Sequence, residues 1–297
     1  MRKVDPIMKI QKLTKLSPNQ LKRVEKLIRD CKDYEPVTLT PSLTNEMNYS
    51  RELPCFYLLT DQGEVLSFLS LFLPDPSYGE AIAFTHPMAR RRGFFKRLWD
   101  EALNELIDII EDMELLFVTD GNSPEALAAL EAMDGEYQYT EYILEKKTAR
   151  DSGPIAEDSG LPAMSLQKAD VSSQEDFSRV CSLHEEIFYD GQTGTLKFTQ
   201  EAFRSPDTST YYIQNKDRCI GLCHLTLSQG SAYLYGFGIL PALQNQGYGR
   251  AALRLLYASL PEGTDRLWLQ VSSLNEPAFS LYTSEGFQVR SKLDYYY

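Results

Sequence analysis

Two spacings of apolar residues alternate along this chain. Some stretches repeat every third or fourth position, as one face of a helix does; others alternate strictly, as a half-buried strand does. In the second half, Phe177, Val180, Leu183, His184 and Ile187 predict a helix over 174–188. A loop holding Gly191 and Gly194 leads to a short helix near 200–204. Alternation predicts strands over 210–215 and 219–228, around a turn at 216–218, and a further strand over 231–240. A helix over 250–260 turns Ala251, Leu255 and Leu256 toward a sheet. Strands over 164–167, 266–271, 287–290 and 293–297 and a short helix over 278–283 complete this half.

The first half repeats the order in a weaker form. Helices are predicted over 18–31, from about 95 to 110, and over 124–133; strands over 55–60, 64–72, 81–85, 115–119 and 137–144. A repeat of this length implies duplicated domains rather than a solenoid. Between the halves, 148–163 is polar and carries Ser, Gly and Pro, the composition of a linker. The expected division is a degenerate domain at 1–147, a linker at 148–163 and a second domain at 164–297.

Strand 231–240 and helix 250–260 are joined by Gln244-Asn245-Gln246-Gly247-Tyr248-Gly249-Arg250. A helix that starts on glycines offers free N–H groups and the positive end of its dipole, a natural seat for a phosphate. The spacing Q-x-x-G-x-G matches neither the Walker loop nor the dinucleotide fingerprint. It resembles the acetyl-CoA pyrophosphate loop of the GNAT acetyltransferase superfamily, Q/R-x-x-G-x-G/A. Ile239-Leu240-Pro241 precedes it in place. Downstream, Asn275, a helix carrying Leu281-Tyr282, and Gly286-Phe287 follow in the order of the family's second signature. The resemblance covers roughly residues 164–297.

What the resemblance implies is an α/β (α+β) fold of two tandem acyl-CoA N-acyltransferase (GNAT) domains, each a mixed, mostly antiparallel central sheet flanked by helices. It also implies acetyl-CoA as cosubstrate. Amides from Gln246 to Arg250, through Gly247, Tyr248 and Gly249, would hold the pyrophosphate; Arg250 would add charge. Ile239, Leu240, Gln244 and Asn245 complete the expected cofactor set. The pantetheine arm would lie along residues 236–240, where Gly236 and Gly238 fit a bulge or close approach; relief of crowding under Tyr235 and Phe237 is the competing account. Tyr282 matches the tyrosine that protonates the leaving thiolate; a core aromatic is the alternative. Asn275 is expected at the cofactor's amides, with turn capping as its rival. The base is open among His224, Glu185, Glu186 and Glu201, a water chain, and an acceptor that arrives neutral, since strand 231–240 carries no carboxylate.

In the first half the loop reads R-x-x-G at Arg90–Gly93, with Arg91, Arg92, Lys96 and Arg97 crowding a helix start and Phe95 in the second small position. Counting back from Gly135 as from Gly286 places Glu131 where Tyr282 lies. This half is therefore expected to bind cofactor or serve as a scaffold without catalysis.

Composition narrows the picture. Of 297 residues, 30 are basic and 42 acidic, a formal charge of −12. Residues 1–150 carry 19 basic and 25 acidic residues, and 151–297 carry 11 and 17, so the acidity is shared by the halves. It argues against a nucleic-acid or anionic-membrane binder. The five cysteines, Cys31, Cys55, Cys181, Cys219 and Cys223, read as buried thiols of a reducing compartment. Cys219 and Cys223, four apart in one strand, are expected on one face. No metal site is expected, and no secretory leader or membrane span is visible. The expectation is a cytoplasmic N-acetyltransferase, monomer or homodimer, acting in its second domain on a small-molecule or peptide amine. The alternative is a non-catalytic tandem module that binds acyl-CoA or a partner.

Overall fold

The computed structural model describes residues 8–110, 113–148, 162–189 and 191–297. The linker expected at 148–163 lies, apart from its ends, outside the described residues. In chain order the elements are β1 (Lys9–Leu13), α1 (Pro18–Tyr34), β2 (Phe56–Asp61), β3 (Glu64–Asp75), β4 (Tyr78–Thr85), α2 (Phe94–Ile110), β5 (Glu114–Asp120), α3 (Pro124–Glu131) and β6 (Tyr137–Lys147). There follow β7 (Ser165–Lys168), α4 (Gln174–Phe188), α5 (Gly191–Arg204), β8 (Thr208–Asn215), β9 (Arg218–Ser228), β10 (Ser231–Ile239), α6 (Tyr248–Ala258), β11 (Arg266–Ser272), α7 (Glu276–Ser284) and β12 (Gln288–Tyr296). Single 3-10 turns, Pro87–Ala89 and Pro241–Leu243, precede α2 and α6.

Contacts divide the chain into Met1–Glu141 with Ser291–Tyr297, and Tyr142–Arg290. Composition draws its line at 148–163; contacts draw theirs within β6 and at Arg290/Ser291 of β12. In the first unit, β1 to β4 are sequential antiparallel neighbours. β5 joins β4 in parallel, and Leu293–Tyr296 of β12 pairs antiparallel with β5. In the second unit, β7 to β10 are antiparallel neighbours and β11 joins β10 in parallel. β6 lies beside β11.

Helices form where their apolar stripe meets these sheets. α1 begins at a capping box, Ser17 with Gln20, has Pro18 in its first turn, and buries Val24, Leu27, Ile28 and Cys31. α6 buries Ala251, Ala252, Leu253 and Leu256; Leu253 and Leu256 pack with Leu234, Leu267 and Leu269, and Ala252 with Ile213, Ile220 and Ile239.

Four local expectations are corrected. β1 is a short edge strand that five residues of mixed polarity concealed. α5 runs from Gly191, through the glycines read as a loop. The two closing strands are one, β12. Cys219 and Cys223 do not share a face: the β8–β9 register shifts between Ile213/Gly221 and Gln214/Cys219, so Ile220 is an extra residue that reverses the alternation. Cys223 packs with the α6 and α7 side of the sheet, Cys219 with the α4 side.

Candidate active site

β10 is paired on both edges only in its first half. Its parallel register with β11 runs from Ser231↔Arg266 to Leu234↔Leu269 and ends there. The antiparallel register with β9 continues to Ile239↔Gly221, interrupted between Tyr235 and Gly238. From Tyr235 to Ile239 one backbone edge thus stands open, and its N–H and C=O groups are suited to an extended ligand that adds like a strand. The interruption is a bulge, with Gly236 at φ 52°. Crowding also demands glycine here. A Cβ on Gly236 would meet His224 Cδ2 at 2.7 Å, and one on Gly238 would meet Phe188 Cζ at 2.8 Å. The crowding comes from α4, α5 and β9, not from Tyr235 and Phe237.

Where β10 ends, the turn at Pro241–Leu243 leads to Asn245 at φ 60° and Gly247 at φ 83°. Gly247 is the N-cap of α6, and no side chain caps that helix. Its first N–H groups are therefore available to an anion. Gln244 and Gln246 brace the loop from within: Gln244 Nε2 donates to Ile239 O at 3.0 Å and Gln246 Nε2 to Ala242 O at 3.2 Å. Gly249 faces α7, where its Cβ would lie 3.5 Å from Leu281 Cδ2. Leu240 caps the 3-10 turn by its backbone, and Tyr248 packs on the cluster of Ile213, Ile220, Ile239 and Ala252.

The charge of Arg250 is already engaged. Its Nη1 donates to Glu285 Oε1 at 2.7 Å and its Nη2 to Ser284 Oγ at 3.1 Å. Arg254 Nε also donates to Glu285, at 2.7 Å. Burial pushes the Glu285 carboxyl up, but the two guanidiniums outweigh it and hold the pKa below the usual range. Glu285 ties α6 to α7, and sequence reasoning missed it because nothing in the sequence marks Arg254 and Glu285, 31 positions apart, as partners. Asn275 is the N-cap of α7, accepting from Ala278 N–H at 3.2 Å, so its side chain does the capping job.

Tyr282 is buried on α7 among Phe237, Phe287 and Cys223. Burial, then the nearby Cys223, raises its pKa well above that of a free phenol, so it stays protonated throughout the neutral range. The structure thus brings Tyr282, the open edge of β10 and the Gly247 loop together in one unit. Of the base candidates, Glu185 accepts from Thr195 Oγ1 at 2.9 Å, Glu186 is exposed, and burial raises Glu201. His224 is fully buried.

The first unit carries the same loop in backbone. Arg91 has φ 60° and Gly93 φ 72°, matching Asn245 and Gly247. Arg90 (φ −66°, ψ 163°) matches Gln244 (φ −68°, ψ 162°). Even the brace recurs, since Arg90 Nε donates to Thr85 O at 3.1 Å as Gln244 does to Ile239. β4 and β5 also part, after Ala81↔Phe117. Phe95 turns inward, edge-on to Phe117 at 5.6 Å. A cleft of about 560 Å³ results, walled by Ala81, Phe117 and Ala129 and rimmed by Arg90, Gly93 and Lys96. Two features of the second unit are missing. The β3–β4 register runs without a bulge from Phe72↔Glu80 to Ser67↔Thr85. The place of Tyr282 is taken by Leu130, not Glu131: both lie seven residues after their N-caps, Asn275 and Ser123. Counting from Gly135 fails because Asp134, at φ 57°, holds the positive-φ place of Gly286, each eleven residues after its N-cap.

Among the described residues no helix is long and apolar enough to cross a membrane, and no group of three His, Cys, Asp or Glu is placed to hold a metal.

Comparison with known proteins agrees with this geometry. Residues 177–287 match the family model "Acetyltransferase (GNAT) family". A GCN5-related N-acetyltransferase from Sphaerobacter thermophilus superposes with a TM-score of 0.73 at 15% identity, covering 97% of this chain and 94% of its own. A tandem GNAT protein from the clavulanic acid biosynthesis pathway, solved without AcCoA, gives 0.69 at 16% identity and covers 97% of both chains. A putative acetyltransferase from Pyrococcus horikoshii gives 0.56 at 10% identity, over 97% of this chain and 88% of its own. No curated protein matches in sequence. Residues 177–287, in the second unit, thus match the GNAT family model, and nearly the whole chain shares the fold of these solved GNAT proteins.

Proposed function

We propose that the second unit is an acetyl-CoA-dependent N-acetyltransferase acting on a primary amine, small molecule or peptide. One observation carries the reading: an uncapped α6 N-terminus at Gly247, an open edge on bulged β10, and a buried, protonated Tyr282 stand in one unit. The N–H groups of residues 246–250 would take the pyrophosphate, and the open edge of 235–239 the pantetheine arm, leaving the thioester beside the bulge. The amine nitrogen attacks the carbonyl; a C–N bond forms and the C–S bond breaks. One proton leaves nitrogen, and one is delivered to sulfur. Tyr282 supplies the latter, and solvent returns its proton. A phenol of raised pKa suits this task because the thiolate is born in the same low-dielectric surroundings, which raise the thiol's pKa too.

The first unit is proposed to hold a CoA without transferring from it. The duplicated loop and the cleft beside it favour binding; the missing bulge and phenol remove the parts on which transfer relies.

Calorimetric titration of acetyl-CoA tests both statements. Two sites per chain are expected. Gly247→Trp should remove one together with all turnover, and Gly93→Trp the other with turnover retained. Absence of binding in the native protein would refute the reading. Turnover lost with Gly93→Trp but kept with Gly247→Trp would move the chemistry to the first unit.

A further inference from the structure

His224 Nε2 is a buried atom with no hydrogen-bond partner among the described residues. Leaving such an atom unpaired costs a fold stability, and it calls for an explanation. The residue is 0% exposed, on central β9, directly opposite Tyr235 of β10. Its Nδ1 lies 2.9 Å from Thr210 Oγ1 on β8. Its other edge rests on the bulge: Cδ2, the carbon bonded to Nε2, would be 2.7 Å from a Cβ on Gly236. Glycine at 236 is what lets the imidazole edge approach the backbone of the strand whose far edge is open. Around the ring stand Tyr235 at 5.1 Å, Phe198 of α5 at 5.2 Å and, against Phe198, His184 of α4. Burial, followed by the proximity of His184, lowers the His224 pKa to about 3. The imidazole is therefore neutral wherever the protein is folded near neutrality.

We propose that His224 positions the acceptor amine. With Nδ1–H donating to Thr210 Oγ1, its Nε2 lone pair accepts an N–H from the acceptor nitrogen and aims that nitrogen's own lone pair at the thioester beside Gly236. The inference rests on the acyl-transfer reading of the second unit. It explains how β10 serves without a carboxylate: the acceptor is taken as the free base, so no base is needed to deprotonate it before attack. A neutral imidazole ringed by Phe198 and Tyr235 accepts a hydrogen bond from an amine, while the desolvated surroundings disfavour the ammonium as the bound form. The proton shed after attack passes to solvent, not to His224.

The chain has three histidines, so each imidazole is separable in a 15N-histidine NMR spectrum. His224 is expected as the Nδ1–H tautomer, unchanged from pH 5 to 9; an Nε2–H tautomer would overturn the proposal. Turnover is then followed with acetyl-CoA and ethylamine, benzylamine or glucosamine as probe acceptors. His224→Phe should lower kcat/KM by roughly 100-fold, the scale of a misplaced reactant, with acetyl-CoA affinity unchanged. His224→Gln, which keeps an acceptor, should recover most of it. In both variants the midpoint of the pH–rate profile should stay at the amine's own pKa. A midpoint that moves with the substitution would make His224 a titrating base, and undiminished turnover in His224→Phe would remove it from the site; either result overturns the role. Failure of the native protein to bind acetyl-CoA would instead overturn the acyl-transfer reading, whatever the tautomer.

Discussion

Glu80 offers a test of the first unit's energetics that needs no substrate. Its carboxyl, on β4, accepts from Tyr78 O–H at 2.9 Å, while Tyr295 O–H donates to the neighbouring acid, Glu141, at 3.2 Å. Burial first, and then the charge of Glu141, raises Glu80 from 4.5 to about 7, against the lowering effect of Tyr78. Each pKa unit is worth about 1.4 kcal/mol, so holding the charged form costs the native state about 3 kcal/mol. Residual solvent access brings the expectation to about 1–3 kcal/mol. The sign follows from proton counting. Between pH 4.5 and about 7 the native state holds more protons than the unfolded state, so stability falls as pH rises through this window and is level above it. Burial raises Glu141 as well, which adds to the same slope. Glu80→Gln is neutral at every pH. It should match the parent near pH 4.5 and exceed it by about 1–3 kcal/mol at pH 8. The chain has two tryptophans, Trp99 in the first unit and Trp268 in the second. Urea unfolding followed by Trp99 fluorescence in a Trp268→Phe background therefore reports the unit that holds Glu80. Parallel stability curves at all pH values, or a Gln variant less stable at pH 8, would refute the reasoning.

Tyr282→Phe keeps the ring packed on Phe237 and Phe287 and deletes only the hydroxyl. It should lower kcat by roughly 100- to 10,000-fold while leaving acetyl-CoA affinity and melting temperature nearly unchanged; native turnover would take the phenol out of the mechanism. Two glycine substitutions should differ in sign. Gly238→Ala forces a methyl group onto Phe188 and Ile187 and should cost about 1–3 kcal/mol in thermal unfolding. Gly249→Ala meets only Leu281 at ordinary contact within a helix, and should be neutral or stabilising by up to ~1 kcal/mol. Equal losses at the two positions would show that backbone freedom, and not packing, decides both.

By itself the sequence determined which segments become helix or strand in most places, because periodicity and punctuation are local. α4 is bounded by Ser173 and Phe188 as its spacing implies, and the glycine turn at Gly247 sits between strand and helix as the motif implies. The family resemblance was likewise local, carried by Gly247, Gly249, Asn275, Tyr282 and Gly286. Tertiary structure decided the matters that depend on what lies opposite. Arg250 carries the same charge in either view, but its closeness to Glu285 diverts that charge from an incoming anion. Asn275 became a cap because Ala278 N–H needed an acceptor. The need for glycine at 236 follows from the rings of His224 and Phe198, residues 12 and 38 positions away. The likeness of the loops at Gly93 and Gly247 rests on backbone angles that Arg and Gln, or Phe and Gly, can share without resembling each other. Spacing along a chain encodes secondary structure, whereas partnership across a sheet is fixed only when the non-local contacts close.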